Sequence, residues 1–122
     1  MKRVLMVEDQ PDIRKLIRMT LEFESFEVHE AHDGPAGVAL AREIRPDVVL
    51  MDVMMPGDFD GLEACRRIKA DPTLSATRVV VISAKGLAAD AQAGRDAGAD
   101  EYLYKPFSPM GLLDTVERLV AA

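Results

Sequence analysis

The sequence predicts a doubly wound α/β domain, in which one parallel β-sheet carries helices on both of its faces. Short apolar runs, rich in β-branched residues, alternate along the chain with longer segments that have the period of a helix. Three of these runs are apolar at every position, which is typical of strands that are covered on both faces. The 122 residues suffice for one core but not for two, so we predict a single domain over residues 1–122.

Five segments are predicted to be β-strands. In chain order they are residues 4–7, 26–28, 48–51, 79–82 and 102–104. The second segment alternates between apolar and charged residues, which favours a position at the edge of the sheet.

Helix start signals follow each of the strands except the fourth. They are Pro11, the pair Gly34-Pro35, Asp60 with Glu63 three residues later, and the pair Ser108-Pro109. Proline fits the first position of a helix, and the Asp60–Glu63 spacing resembles a capping box. The remaining helix, at about residues 87–97, has a poor apolar stripe, and we expect it to be the most mobile of the five.

Composition and charge exclude several classes of protein. Fifteen Lys and Arg residues against 21 Asp and Glu residues give a net charge of −6, which disfavours direct binding of nucleic acid by this domain. No apolar run approaches the about 20 residues of a membrane-spanning helix, so we expect no membrane insertion. The single cysteine, Cys65, cannot form an internal disulfide, which favours a cytoplasmic protein, and we expect this thiol to pack in the core.

Polar side chains stand at or just after the ends of four predicted strands. Glu8 and Asp9 follow the first strand, Asp52 ends the third, Ser83 follows the fourth and Lys105 follows the fifth. In an open doubly wound sheet, ligands bind at the carboxyl ends of the strands. We therefore expect three carboxylates, a hydroxyl and an ammonium group to meet at one end of the sheet.

These groups suit phosphoryl transfer. Three adjacent carboxylates repel one another, and a hard divalent cation, best Mg²⁺, would relieve that repulsion. Asp52 could attack phosphorus and form an acyl phosphate, while Ser83 donates a hydrogen bond to the phosphoryl group and Lys105 pairs with its charge. Phosphoryl transfer requires mainly positioning and charge neutralisation from a protein, and this set of groups can supply both.

The chain resembles, over its whole length, the receiver domain of two-component response regulators. The matching segments are residues 7–9 (VED), 50–56 (LMDVMMP), 60–61 (DG), 81–84 (VISA), 97–103 (AGADEYL) and 105–107 (KPF). The resemblance implies the flavodoxin-like fold, with a five-stranded parallel sheet in the order 2-1-3-4-5. It also implies a phosphorylation-dependent signalling switch in a two-component system or phosphorelay.

The resemblance also implies roles for individual residues around the acceptor. It makes Asp52 the phosphoacceptor, and it makes Glu8, Asp9 and Asp52 the carboxylate ligands of Mg²⁺. The backbone carbonyl of Met54 would complete the protein's share of the metal ligands.

A second group of residues would respond to the phosphoryl group. The resemblance makes Ser83 the switch hydroxyl, Tyr102 the switch aromatic and Lys105 the phosphate-pairing lysine, and it implies a cis bond before Pro106. The donor would be the phosphohistidine of a histidine kinase or histidine phosphotransfer protein. The signal would leave through the face of helix 4, strand 5 and helix 5, toward a downstream protein or a fused output domain, and a phosphorylation-dependent homodimer is left open.

One stretch departs from the family pattern. Two residues usually separate the proline of the motif from its Asp-Gly pair, whereas Gly57, Asp58 and Phe59 separate Pro56 from Asp60 here. The extra residue lengthens the loop beside the acceptor. It would either place Asp58 at the mouth of the pocket or alter partner docking, and it leaves the phosphoryl lifetime open.

Two functions of other classes fit parts of this pattern. A Mg²⁺-dependent phosphohydrolase could use Asp52 as its nucleophile, but such enzymes need a second acidic residue close behind it, where Val53 and Met54 stand. They also tend to carry a cap domain, for which 122 residues leave no room. A flavodoxin-like FMN carrier would need a phosphate loop after the first strand, where residues 8–11 (EDQP) would repel phosphate. We therefore expect no enzyme beyond the domain's own phosphotransfer and dephosphorylation.

Overall fold

A five-stranded parallel sheet lies between two layers of helices in the computed structural model, which describes residues 1–55, 57–84 and 88–121. The strands are β1 (Arg3–Val7), β2 (Glu27–Ala31), β3 (Val48–Asp52), β4 (Arg78–Ala84) and β5 (Glu101–Lys105). They pair in the order β2-β1-β3-β4-β5, and every pairing is parallel. The doubly wound fold and the strand order 2-1-3-4-5 are therefore confirmed.

Within the described ranges, five α-helices follow the strands in turn. They are α1 (Pro11–Phe23), α2 (Gly34–Ile44), α3 (Gly61–Ala70), α4 (Ala88–Asp96) and α5 (Pro109–Ala121), with a 3₁₀ turn at Pro72–Leu74 after α3. The predicted start of the fourth helix at Leu87 lies outside the described residues, and the expected mobility of this helix stays a prediction. No helix in the described ranges is both long enough and apolar enough to cross a bilayer.

Short polar side chains cap three of these helices. The side-chain oxygen of Asp33 accepts a hydrogen bond from the Ala36 amide at 2.8 Å, and Ser108 accepts one from the Gly111 amide at 2.9 Å. Asp60 accepts from the amide of Glu63 at 3.0 Å, which is one half of the predicted capping box. The side chain of Glu63 bonds to Arg66 and Arg67 instead of reaching back to Asp60.

Two apolar clusters cover the two faces of the sheet. Successive residues of a strand point to opposite faces, so the continuous apolar runs of β1, β3 and β4 supply both clusters. Leu5, Val49 and Val81 are buried in the cluster that includes α2 and α3, whereas Met6 and Leu50 are buried in the one that includes α1 and α5. Each such side chain contributes about 1.5 to 3 kcal/mol of burial free energy.

The second strand differs from its predicted bounds of residues 26–28. β2 runs over Glu27–Ala31 and pairs with β1 from Arg3 to Val7. Phe26 precedes the strand and packs against the cluster of α1 and α5. Because β2 is an edge strand, polar residues such as His29 and Glu30 remain partly exposed there, and apolar content does not mark its length.

Candidate functional site

The carboxyl ends of the strands bring the predicted acidic residues together. Glu8 and Asp9 directly follow β1, and Asp52 is the last residue of β3, the neighbouring strand. One carboxylate oxygen from each of these three residues lies within 4.8 Å of the other two. The three carboxylates predicted to meet at this edge therefore do so.

Lys105, the last residue of β5, reaches across to this acidic cluster. Its Nζ atom lies 3.0 Å from Oε1 of Glu8 and 3.1 Å from Oδ2 of Asp52. Burial tends to lower the pKa of Lys105, but the hydrogen bond to Glu8 and the charge of Asp52 outweigh it and raise that pKa. The ammonium group is therefore charged at neutral pH.

The acidic side chains are deeply buried for charged groups. Glu8 is 1% exposed and Asp52 is 3% exposed, whereas Asp9 is partly exposed. Burial, and then the adjacent Asp52 carboxylate, raise the pKa of Glu8 to about 7. Two charged carboxylates whose oxygens lie 4.8 Å apart repel by about 3 to 4 kcal/mol at an effective dielectric constant of about 20. One lysine cannot neutralise three carboxylates, so the cluster favours an additional cation.

The donor set fits a hard divalent metal ion. All three side chains offer carboxylate oxygens, which Mg²⁺ prefers over nitrogen or sulfur ligands. Oε1 of Glu8 is buried, and the Lys105 ammonium at 3.0 Å occupies at most one of its lone pairs. This oxygen is available to a metal ion. Residues Glu8, Asp9 and Asp52 therefore fit Mg²⁺.

The loop after β3 is held against the Asp52 carboxylate. The backbone amide of Met54 donates to Oδ1 of Asp52 at 3.3 Å. A Cβ atom at Gly61 would lie 1.9 Å from the carbonyl oxygen of Asp52, so only glycine allows α3 to begin this close to β3. The Gly61 amide also donates to the carbonyl of Val53 at 3.2 Å. In the sequence, Gly61 stood out only as part of a motif. The close approach of α3 to the backbone of Asp52 explains why glycine is needed there.

The lengthened part of this loop packs on α2 and α3. The carbonyl and the ring of Phe59 lie so close to Gly34 that a Cβ there would come within 2.8 Å of the carbonyl oxygen. The Arg67 guanidinium stacks over the Phe59 ring, 3.9 Å from its centroid. Asp58 is exposed. Pro56 and Lys85 lie outside the described residues.

Arg14 contacts the loop of Glu8 and Asp9 and was not singled out by sequence patterns. Its Nη1 atom donates to the backbone carbonyls of Glu8 at 3.1 Å and of Asp9 at 2.9 Å. In the sequence it is one charged residue among several on α1, and charged residues on a helix usually face solvent. Only the fold shows that this one turns toward the loop.

The two predicted switch residues lie on neighbouring strands. Tyr102 on β5 pairs with Val81, and Ser83 stands two residues further along β4, so Ser83 and Tyr102 face the same side of the sheet. Ser83 is buried, and the Tyr102 ring packs into the apolar cluster of α2 and α3. A Cβ atom at Gly94 of α4 would lie 2.4 Å from that ring.

The hydroxyl of Tyr102 is enclosed by protein. It is buried and has no hydrogen-bond partner within the described ranges, and burial raises the pKa of this tyrosine. The tyrosine ring is therefore in an inward position.

After β5 the chain turns through a cis bond between Lys105 and Pro106, and Phe107 packs against the cluster of α1 and α5.

Comparison with known proteins gives consistent matches. A family model described as "Response regulator receiver domain" matches residues 4–117. The Transcriptional regulatory protein ResD of Bacillus subtilis is 40% identical over 118 residues, which cover 97% of this chain and 48% of ResD. Protein PilH of Pseudomonas aeruginosa is 39% identical over 121 residues, which cover 99% of both proteins. The chain thus spans about half the length of several curated relatives it matches, and almost all of PilH.

Solved structures match the fold closely. One is the receiver domain of the sensor histidine kinase PA1611 from Pseudomonas aeruginosa, with a magnesium ion coordinated in its active-site cleft. It superposes with a TM-score of 0.91 at 30% sequence identity, over 99% of this chain and 98% of that one.

Proposed function

This chain belongs to the response regulator receiver family, and from that membership we propose that it is a signalling switch whose phosphoacceptor is Asp52. Receiver domains of this family act in two-component signalling, where phosphorylation controls their state. The observation that carries the assignment to Asp52 is its position. It is buried at the end of β3, close to the carboxylates of Glu8 and Asp9, and 3.1 Å from the ammonium of Lys105.

The proposed reaction is a phosphoryl transfer from a phosphohistidine to Asp52. A carboxylate oxygen of Asp52 attacks phosphorus, the P–N bond breaks, and the imidazole nitrogen keeps the electron pair and takes a proton from solvent. Lys105 pairs with the negative charge of the transferred group, and the Ser83 hydroxyl donates a hydrogen bond to it. Hydrolysis of the acyl phosphate returns the domain to its starting state, and we propose no turnover of other substrates.

Mg²⁺ is the proposed cofactor, held by Glu8, Asp9, Asp52 and the backbone carbonyl of Met54. When bound, it would offset the negative charge that the three carboxylates and the phosphoryl oxygens bring together. The magnesium ion in the PA1611 receiver domain supports this choice of metal. The cluster of carboxylate oxygens from Glu8, Asp9 and Asp52 supports it independently.

The proposed partners are a histidine kinase or a histidine phosphotransfer protein upstream, and a protein target or fused output domain downstream. We propose that the signal leaves through the face formed by α4, β5 and α5, after Ser83 and Tyr102 shift the domain between two states. The relatives support both arrangements of output, since ResD is about twice as long as the matched segment and PilH has the same length. A phosphorylation-dependent homodimer stays open.

Incubation with acetyl phosphate and Mg²⁺, followed by intact-mass measurement, tests the proposal. The wild-type chain should gain one phosphoryl group, and Asp52→Asn should gain none while keeping its circular dichroism spectrum. Asp58→Asn is the matched control, because Asp58 is an exposed aspartate in the same loop and should leave the adduct unchanged. An adduct that persists in Asp52→Asn would contradict the assignment. Turnover of an unrelated phosphoester without any adduct would favour a phosphohydrolase.

A further inference from the structure

Arg14 touches the backbone that carries two of the three carboxylates. A single nitrogen, Nη1, donates to the carbonyl of Glu8 at 3.1 Å and to the carbonyl of Asp9 at 2.9 Å. These two residues form the short connection between the end of β1 and the start of α1. The side chain of Arg14 is 17% exposed, so its guanidinium is largely enclosed by protein. Its hydrogen bonds thus join the first helix to the metal-binding loop.

We propose that Arg14 is a positioning residue for the metal site, a role that rests on the proposed function of this edge of the sheet. By holding both carbonyls, it fixes the backbone from which the Glu8 and Asp9 side chains project toward Asp52. Hydrogen bonds from a charged donor are stronger than those between neutral groups, so one arginine can restrain a loop of this length. Arg14 itself contacts no carboxylate of the trio, and it acts through the backbone.

Neighbouring contacts hold both the loop and the arginine in place. The Glu8 amide donates to the carbonyl of Ala31 on β2 at 3.1 Å, and the Gln10 amide donates to Oε2 of Glu8 at 3.2 Å. Nε of Arg14 lies 3.4 Å from Oε1 of Glu30, which is also on β2. The loop is thus tied to the edge strand on one side and to α1 on the other.

Arg18 provides a matched control one helical turn further along α1. It pairs with the same Glu30, and with Glu22, and donates to the carbonyl of Val28. None of the Arg18 contacts in the described chain involves the loop of Glu8 and Asp9. Arg14→Gln and Arg18→Gln therefore remove the same charge from the same helix, but only the first removes the bonds to the loop.

The sign of the effect on Mg²⁺ affinity separates positioning from simple electrostatics. Removing a positive charge near an acidic site would tighten cation binding if charge alone mattered. If Arg14 instead positions the loop of Glu8 and Asp9, its removal should weaken Mg²⁺ binding. Residues that orient metal ligands typically change affinity by 10- to 100-fold, so we expect Arg14→Gln to weaken Mg²⁺ binding about tenfold. Arg18→Gln should leave the affinity near that of the wild type.

Isothermal titration with MgCl₂ on the unphosphorylated chain measures this affinity. Unchanged or tighter binding by Arg14→Gln, or equal weakening by Arg18→Gln, would overturn the proposal. Arg14→Lys keeps a charged donor and should restore part of the affinity that Arg14→Gln loses, whereas no restoration would contradict the role. If Arg14→Gln does not fold, the comparison of Arg14→Lys with Arg18→Lys decides, and only the first should bind Mg²⁺ more weakly.

Hydrogen exchange of the metal-free protein gives a second readout that needs neither metal nor phosphorylation. The amide of Gln10 should exchange faster in Arg14→Gln than in the wild type, while amides of β3 keep their protection. Equal exchange at Gln10 would overturn the role of Arg14. Failure of the wild type to bind Mg²⁺ would instead count against the proposed cofactor, so the two failures are distinguishable.

Discussion

The Nζ atom of Lys105 lies 3.1 Å from Oδ2 of Asp52, although the two residues end strands that are separated by β4 in the sheet. The same ammonium lies 3.0 Å from Oε1 of Glu8. It is therefore placed to pair with negative charge that develops at Asp52.

Replacement of Lys105 should slow phosphorylation of Asp52. Lys105→Met keeps much of the side chain's volume but removes the charge beside the acceptor, and loss of one such stabilising group should reduce the rate by about tenfold or more. The rate is measured as growth of the phosphoryl adduct by intact mass, with a fixed concentration of acetyl phosphate and Mg²⁺. Lys15→Met, at an exposed position of α1, is the control. Wild-type kinetics in Lys105→Met would contradict the role of this lysine.

Glu8→Gln should stabilise the metal-free protein at pH 8. The folded state holds Glu8 with a pKa raised to about 7, by burial first and by Asp52 next, so at pH 8 the group is ionised at a cost to folding. That cost is fully present above pH 7 and is lost as the pH falls toward the unfolded value of 4.5. We expect a gain of about 1 to 3 kcal/mol in the free energy of unfolding, measured with urea in EDTA.

Mg²⁺ should act against this difference in stability between the wild type and Glu8→Gln. MgCl₂ should stabilise the wild type more than Glu8→Gln, since the substitution removes one carboxylate ligand. Glu24→Gln, at an exposed position beyond α1, should behave like the wild type in both buffers. A Glu8→Gln protein that is less stable than the wild type in EDTA would show that carboxylate repulsion is not the dominant effect at this site.

Gly94→Ala should push the Tyr102 ring out of its inward position. The added methyl group would lie 2.4 Å from a ring carbon, closer than carbon atoms can pack. Nuclear Overhauser contacts between the Tyr102 ring and α4 should weaken or disappear. Gly111→Ala is the control in α5, where the atom closest to an added Cβ, Oγ of Ser108, would lie 3.1 Å away. An unchanged ring position in Gly94→Ala would show that α4 moves instead of Tyr102.

The Cys65 thiol should be unreactive in the folded protein. Its residue is 0% exposed, and burial raises the pKa of the thiol to about 11. At pH 8 the thiolate fraction is then roughly one in a thousand, and only the thiolate attacks a disulfide reagent. We expect labelling to be about 100-fold slower in buffer than in urea. Equal labelling rates under both conditions would contradict the buried position of Cys65.

The parts of the fold that the sequence predicts well are those with a single dominant pattern. Strands β1, β3 and β4 are covered on both faces, so continuous apolar runs identify them in the sequence. β2 lies at the edge of the sheet and ends in partly exposed polar residues, so its last residues could not be recognised from apolar content. The convergence of Glu8, Asp52 and Lys105 was predictable because parallel strands end at the same edge.

Other features depend on distances between segments that are far apart in the chain. Gly61 must be glycine because α3 begins against the carbonyl of Asp52, and Gly94 leaves room for a ring on β5. Arg14 looks like any charged residue of α1 until the fold places it beside the loop after β1. No periodicity or motif spacing reports such tertiary contacts, so the sequence alone could not assign these roles.

Chemical mapping of the phosphoryl group tests the central claim most directly. Borohydride reduces an acyl phosphate to an alcohol, so the phosphorylated chain, reduced and then digested, should contain homoserine at the acceptor position. The account predicts homoserine at Asp52, with Glu8, Asp9 and Asp58 unchanged. A reduced residue at Asp9 or Asp58, or a phosphoryl group found on His29 or His32, would contradict it.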